Sequence, residues 1–334
     1  MTLLDAPAPP STRGLARDEV RLLVARPGVV QHRRFTDLPG ALDPGDLVVV
    51  NTSATRPAAV DAVRPDGRPA VVHLATVLDD GDRVVEVRPA GTATGPLEDL
   101  RPGERLALPG GAVLDVLAAD PPGQHRLHRA RLAAPAPYDA WLAAHGRPIS
   151  YAYVPEPWPL VEYQTVFADQ PGSAEMPSAG RPFSGRVLAG LARRGVLVAP
   201  VVLHTGVSSQ EPGEPPQPEP YAVPAATARL VDHVRASGGR VVAVGTTVTR
   251  ALETAAGEVG RVRARSGWTS LVLGPARPAR VVTGLVSGWH PPGASHLELL
   301  RAVAGDALVD RAYAASDGYL AHEFGDSCLL LPDR

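Results

Sequence analysis

Four short apolar runs limit what this chain can fold into. Asp46–Val50, Val196–His204, Arg240–Val244 and Val281–Val286 are almost uninterrupted in Val, Leu and Ala. The first is ended by the polar Asn51-Thr52-Ser53. A strand without polar alternation must be covered on both faces, which is the condition of a strand inside a parallel sheet. Segments of helical character flank and separate the last three: Gly185–Arg194, Ala225–Ala236, Val248–Ala256 and Ser295–Ala304. Strand and helix in alternation predict an α/β unit with a mostly parallel sheet.

Residues 60–133 have a different texture. Short β-prone runs at 71–78, 83–89, 104–109, 112–119 and 125–132 are spaced by Pro65-Asp66-Gly67, Asp80-Gly81-Asp82, Gly110-Gly111 and Pro121-Pro122-Gly123. Runs of this length between tight turns predict a small antiparallel meander closing into a barrel, followed by a helix over Tyr138–His145. The simplest architecture is an α/β domain (residues 1–59 and 150–334) into which a smaller antiparallel β-barrel domain (60–149) is inserted. The Pro- and Ala-rich residues 1–16 read as a mobile arm or an irregular lead-in, and Ser209–Pro224 as an extended polyproline-like loop.

Composition narrows the function classes. With 334 residues, a net charge of -2 and 44% hydrophobic residues, the chain can bury a large core and has no global basic surface for nucleic acid. All 33 basic residues are arginine, so an RNA surface would have to be a local Arg patch. The single cysteine, Cys328, excludes an internal disulfide and a cysteine-built zinc site. No apolar run approaches the length of a membrane span, and the first residues lack a secretory apolar core; a cytoplasmic location is expected.

Ligands of open α/β folds gather beyond the carboxyl ends of the strands. Three such ends carry chemistry here. Gly245-Thr246-Thr247 breaks a buried strand and opens a helix, an anion-binding arrangement that also fits a plain capped helix. Leu203-His204-Thr205-Gly206 and Ser287-Gly288-Trp289-His290 each put an imidazole past a strand, as an acid, a base or a structural hydrogen-bonding group. His125 and His128 have no third ligand, the ten histidines form no metal motif, and no phosphate-binding GxGxxG or GxxxxGK[ST] is present.

The ordered set of blocks resembles the S-adenosylmethionine:tRNA ribosyltransferase-isomerase family of queuosine biosynthesis, from Arg21 to Asp326. Phe35–Leu38 and Leu42–Asn51 are similar to its N-terminal strand and loop. Tyr163-Gln164-Thr165-Val166-Phe167-Ala168 resembles Y-Q-T-V-Y-A, and Pro177-Ser178-Ala179-Gly180 with Phe183 resembles P-T-A-G-L-H-F. Leu203-His204 with Gly206 resembles L-H-V-G. Val244–Thr247 with Arg250, Leu252 and Glu253 resembles V-G-T-T-S-V-R-x-L-E. His290 and Pro292 resemble N-F-H-L-P, and Tyr319, Gly325 and Asp326 close the series.

The resemblance implies a large barrel-like α/β domain with the inserted small barrel. The implied reaction moves the ribosyl part of S-adenosylmethionine onto 7-aminomethyl-7-deazaguanine in tRNA and isomerises it, giving epoxyqueuosine and releasing adenine and methionine. S-adenosylmethionine is then a co-substrate, with no other cofactor and no metal, in a monomer or homodimer. His204 and His290 are the implied acid/base pair. Gly245, Thr246, Thr247 and Arg250 are candidates for the methionine carboxylate, Ser178 and Gly180 for the sugar, and Glu253 or Asp326 for the ammonium or for orienting a histidine.

The chain also departs from the pattern. Arg181-Pro182 stand for Leu-His, Gly288-Trp289 for Asn-Phe, and Ala54 and Ala59 for two arginines. Two further readings follow from those changes: a paralogue that binds S-adenosylmethionine or a related nucleoside and acts on a small molecule, and a non-catalytic binding protein on the same scaffold.

Overall fold

The computed structural model describes residues 3–91, 95–208, 214–290 and 295–333. Its centre is a nine-stranded mixed sheet. The strands, in chain order, are β1 (Arg21–Arg26), β2 (Val29–Arg34), β3 (Leu47–Asn51), β10 (Leu197–Leu203), β11 (Glu219–Val223), β12 (Val241–Val244), β13 (Arg265–Thr269), β14 (Gly284–Gly288) and β15 (Ser327–Leu330). Their spatial order is β13-β11-β10-β3-β12-β14-β15-β1-β2, with β13 and β2 at the edges. The strands β10, β3, β12 and β14 run parallel to one another, as do β15 and β1, and the remaining pairs are antiparallel. The sheet is therefore parallel in its middle and mixed overall.

The apolar runs behave as their pattern demands. In β3, Leu47 and Val49 join the core on the face covered by α3 (Ala225–Ala236), α4 (Thr246–Ala256), α5 (Ser295–Ala304) and α6 (Asp306–Ala314). Val48 and Val50 enter a second core against Phe35, Leu38 and the α2 (Gly185–Arg193) residues Val187 and Leu191. Burying both faces of one strand multiplies a gain of about 1.5–3 kcal/mol per buried Val or Leu, which makes a register slip costly.

The inserted strands β4 (Ala59–Val63), β5 (Pro69–Val77), β6 (Arg83–Pro89), β7 (Arg105–Ala107), β8 (Val113–Ala119) and β9 (Leu127–Ala133) close into a six-stranded antiparallel barrel. Val60, Val72, Val85, Leu106, Leu114 and Ala130 fill it. Helix α1 (Tyr138–His145) adds Trp141 and Leu142 to that core, and the Trp141 indole donates to the Pro109 carbonyl at 2.9 Å.

The first residues do not behave as an arm. Leu4–Asp5 pairs in parallel with Leu320–Ala321, and Ala6 is fully buried. Pro292 and the 209–213 part of the expected polyproline-like loop lie outside the described residues. No described helix is long and apolar enough to cross a membrane.

Candidate active site

The parallel strands β10, β3, β12 and β14 end side by side, and beyond their carboxyl ends the chain encloses a cavity of about 470 Å³. That volume is in the range of small-molecule sites, and the position is where α/β sheets bind ligands.

One wall is the start of α4. Gly245 serves as its N-cap at φ +90°, a conformation that side-chain-bearing residues rarely adopt, and an added Cβ would lie 3.2 Å from the Ala179 Cβ. No side chain caps this helix, so the N–H groups at Thr246 and Thr247 face the cavity end without an internal competitor. Asn51 fixes the wall in place. Its amide donates to the Leu203 carbonyl at 2.8 Å and to Thr247 Oγ1 at 3.4 Å, and its oxygen accepts from the Leu203 N–H at 3.0 Å. One side chain thereby ties β3, β10 and α4 together.

The next wall comes from β14 and α5. His290 and His296 stack with ring centroids 4.6 Å apart and planes 8° from parallel. Burial, with His296 and His322 adding, holds the His290 imidazole well below the usual range, and burial, with Arg250 adding, lowers His296. Both are thus neutral rings near pH 7. Ser287 Oγ lies 3.1 Å from His290 Nε2. Trp289, 1% exposed, also lines the cavity, and its Nε1–H has no partner among the described residues.

The third wall carries tyrosines and carboxylates. Tyr153 Oη donates to Glu323 Oε2 at 2.9 Å, and Tyr151 Oη donates to Glu175. His322 stacks on Tyr153 at 3.8 Å in a left-handed backbone conformation, φ 68°. Such strain in a side-chain-bearing residue is commonest where a site requires it.

Of the residues singled out in the sequence, Ser178, Gly245, Thr246, Thr247, Arg250 and His290 line this cavity. Four others do not. His204 is set back: its Nδ1 is 2.7 Å from Ser53 Oγ, which is 2.6 Å from Ser173 Oγ, and its ring packs where Gly172 leaves no room for a Cβ. Gly180 lies behind Ser178, where an added Cβ would meet Thr165 at 3.3 Å. Glu253 accepts from the N–H groups of Arg280, Val281 and Val282 at 2.8–2.9 Å and so closes a loop. Asp326 accepts from the N–H groups of Arg21 and Leu320 at 2.8 and 3.0 Å. Two carboxylates expected near the ligand instead satisfy buried backbone donors.

Arg250 lines the cavity, but four of its five N–H donors are already bonded to protein. Nε donates to the Leu271 carbonyl at 3.0 Å, Nη2 to Gln217 and Thr269 carbonyls at 2.9 and 3.1 Å, and Nη1 to the Glu219 carboxylate. It braces the wall of the cavity.

Sequence reasoning missed His296, Glu175 and Glu323. Each had a signal: His296 follows His290 by six residues, Glu175 precedes Met176-Pro177-Ser178, and Glu323 precedes Phe324-Gly325-Asp326. Among the described residues, no group of three or more His, Cys, Asp or Glu is arranged to hold a metal ion.

The fold and the cavity define an α/β protein with an inserted antiparallel barrel and a small-molecule cleft at the carboxyl ends of its parallel strands. A family model described as queuosine biosynthesis protein matches residues 4–330, and the chain belongs to that family. It is 37% identical to the S-adenosylmethionine:tRNA ribosyltransferase-isomerase of Acidiphilium cryptum over 94% of this chain and 93% of that one. The protein so named from Symbiobacterium thermophilum is 35% identical over 94% of each chain. A crystal structure of S-adenosylmethionine tRNA ribosyltransferase from Thermotoga maritima superposes with a TM-score of 0.53 at 27% identity, covering 98% of this chain and 96% of that one.

Proposed function

We propose that this protein is an S-adenosylmethionine:tRNA ribosyltransferase-isomerase. It transfers the ribosyl moiety of S-adenosylmethionine to 7-aminomethyl-7-deazaguanine in tRNA and isomerises it, giving epoxyqueuosine with release of adenine and methionine. Full-length similarity to relatives of that name supports the reading, and no observation favours the small-molecule or non-catalytic alternatives. The proposal includes a cytoplasmic monomer or homodimer, and a division into a large unit (1–59 and 150–334) and an inserted unit (60–149).

The observation that carries it is the convergence of an uncapped helix start and two neutral imidazoles on one cavity. The co-substrate presents a carboxylate, a sulfonium and an adenine. The carboxylate suits the Thr246 and Thr247 N–H groups at the α4 start. The sulfonium acidifies the adjacent C5′ protons, and a base that removes one must be unprotonated at working pH; His290 meets that condition. Adenine leaves more readily against a hydrogen-bond donor. Ser178 faces the space left for the sugar.

The test is incubation with S-adenosylmethionine and tRNA carrying the deazaguanine precursor. Adenine release dependent on that tRNA is the expected result. Folded protein that binds S-adenosylmethionine but releases no adenine contradicts the reading.

A further inference from the structure

We propose that Glu323 and Glu175 form a subsite for the primary ammonium of the acceptor's aminomethyl group, and that Glu323 takes a proton from it. The inference rests on the transferase reading and assigns residues of the same cavity to the second substrate.

The cavity holds three carboxylates, and they differ in company. Glu219 is ion-paired with Arg250. Glu175 and Glu323 have no ion-pair partner among the described residues and are held by neutral donors: Tyr151 and Ser208 on Glu175, Tyr153 on Glu323. Glu175 and Glu323 are half-buried, a carboxylate partly withdrawn from water without a cation is costly to ionise, and a bound cation relieves that cost. The charged groups facing Glu323 are Glu175, which raises its cost of ionising, and Arg181, whose guanidinium is already bonded to Glu162.

A second observation also points to a ligand. Tyr163, 3% exposed, lines the same cavity, and its hydroxyl has no hydrogen-bond partner among the described residues. It is near enough to Glu323 for that charge to push its own ionisation up, after burial. A hydroxyl oxygen and two carboxylates are acceptors for an ammonium, which has three N–H donors. Another wall of the cavity, at the α4 start, offers backbone donors suited to a carboxylate. The cavity therefore offers donors for an anionic group and acceptors for a cationic one.

Only a neutral amine can form a new C–N bond. The transfer is balanced: one N–H bond of the ammonium breaks, one O–H bond forms on Glu323, and a neutral amine faces a neutral acid. Burial, with Glu175 adding, pushes the Glu323 carboxyl to about 7, where it exchanges a proton readily near neutral pH.

The experiment compares binding of an anticodon stem-loop carrying 7-aminomethyl-7-deazaguanine with one carrying the 7-methyl analogue, to wild type, Glu323→Gln and Glu175→Gln, with S-adenosylmethionine titrated separately. Circular dichroism confirms that each variant is folded. Wild type should prefer the amine by about 10- to 100-fold, the worth of a hydrogen bond to a charged group. Both variants should lose that preference while S-adenosylmethionine affinity stays unchanged. Unchanged preference in both variants overturns the proposal. So does a loss confined to S-adenosylmethionine affinity, which would place the methionyl ammonium there instead. The two readings fail separately: wild type that prefers the amine but releases no adenine defeats the transferase reading, whereas active wild type with an unchanged acceptor KM in Glu323→Gln defeats the subsite.

Discussion

His290 and His296 lie face to face across the junction of β14 and α5, 4.6 Å between centroids, and both imidazoles are disfavoured from taking a proton. Burial is the main cause for each ring, and a charge on one ring opposes a charge on the other.

A pH profile follows from that stack. If His290 is the base, activity is retained above the ordinary imidazole range, and the acid limb of kcat/KM for S-adenosylmethionine falls below about 6.5. Replacing His296 with Leu removes one cause of the depression and should move the limb upward. His290→Gln should lower kcat by about 10²- to 10⁴-fold, the usual contribution of a general base. Linkage gives the matching stability trend. The folded values are depressed, so the unfolded chain binds protons first, and stability present above about 6.5 is lost as pH falls below it. Urea melts between pH 5 and 8 measure it.

Arg250 is expected to matter for stability more than for ligand charge. Its guanidinium and the Glu219 carboxylate are buried and share one bond set. Arg250→Met should cost about 3–5 kcal/mol by leaving Glu219 unpaired, and the double change with Glu219→Leu should cost less than the single one. Denaturant unfolding of both variants decides it; a double variant less stable than the single contradicts the bracing role.

Gly245→Ala tests the α4 wall. A left-handed φ and an Ala179 contact at 3.2 Å predict a loss of about 1–3 kcal/mol in stability, with weakened S-adenosylmethionine binding in protein that remains folded. Calorimetry well below the melting temperature separates the two effects.

Glu253→Gln provides the contrast. It perturbs the cap on Arg280, Val281 and Val282, so stability should fall by about 1–3 kcal/mol while the KM for S-adenosylmethionine stays unchanged. A selective rise in KM would instead put Glu253 at the ligand.

The scaffold was legible where burial is two-sided. The runs at 46–50 and 240–244 became β3 and β12 nearly end for end, buried on both faces, and the run at 196–204 became β10, whose Leu197 and Val198 are exposed at its start. The run at 281–286 was displaced: Val281 and Val282 are buried as loop, their N–H groups held by Glu253, and β14 starts at Gly284. Strand β4 was missed because Ala59–Val63 is short and interrupted by Asp61. Helix α6 was missed because Gly305 breaks the pattern it shares with α5.

The site was half legible for a related reason. Gly245–Thr247 and His290 sit at strand ends, where position alone predicts a role. His296, Glu175 and Glu323 reach the cavity from a helix and from loops, and only the fold brings them there. Arg250, Glu253 and Asp326 have the charge a ligand needs, but neighbouring backbone and Glu219 claim it, and local sequence does not show those long-range partners.

A crystal structure of the S-adenosylmethionine complex tests the central claim most directly. The account predicts the methionine carboxylate on the Thr246 and Thr247 N–H groups, with C5′ within hydrogen-bonding reach of the His290 ring. Co-substrate bound away from the α4 start, or with His290 remote from the sulfonium, would contradict it.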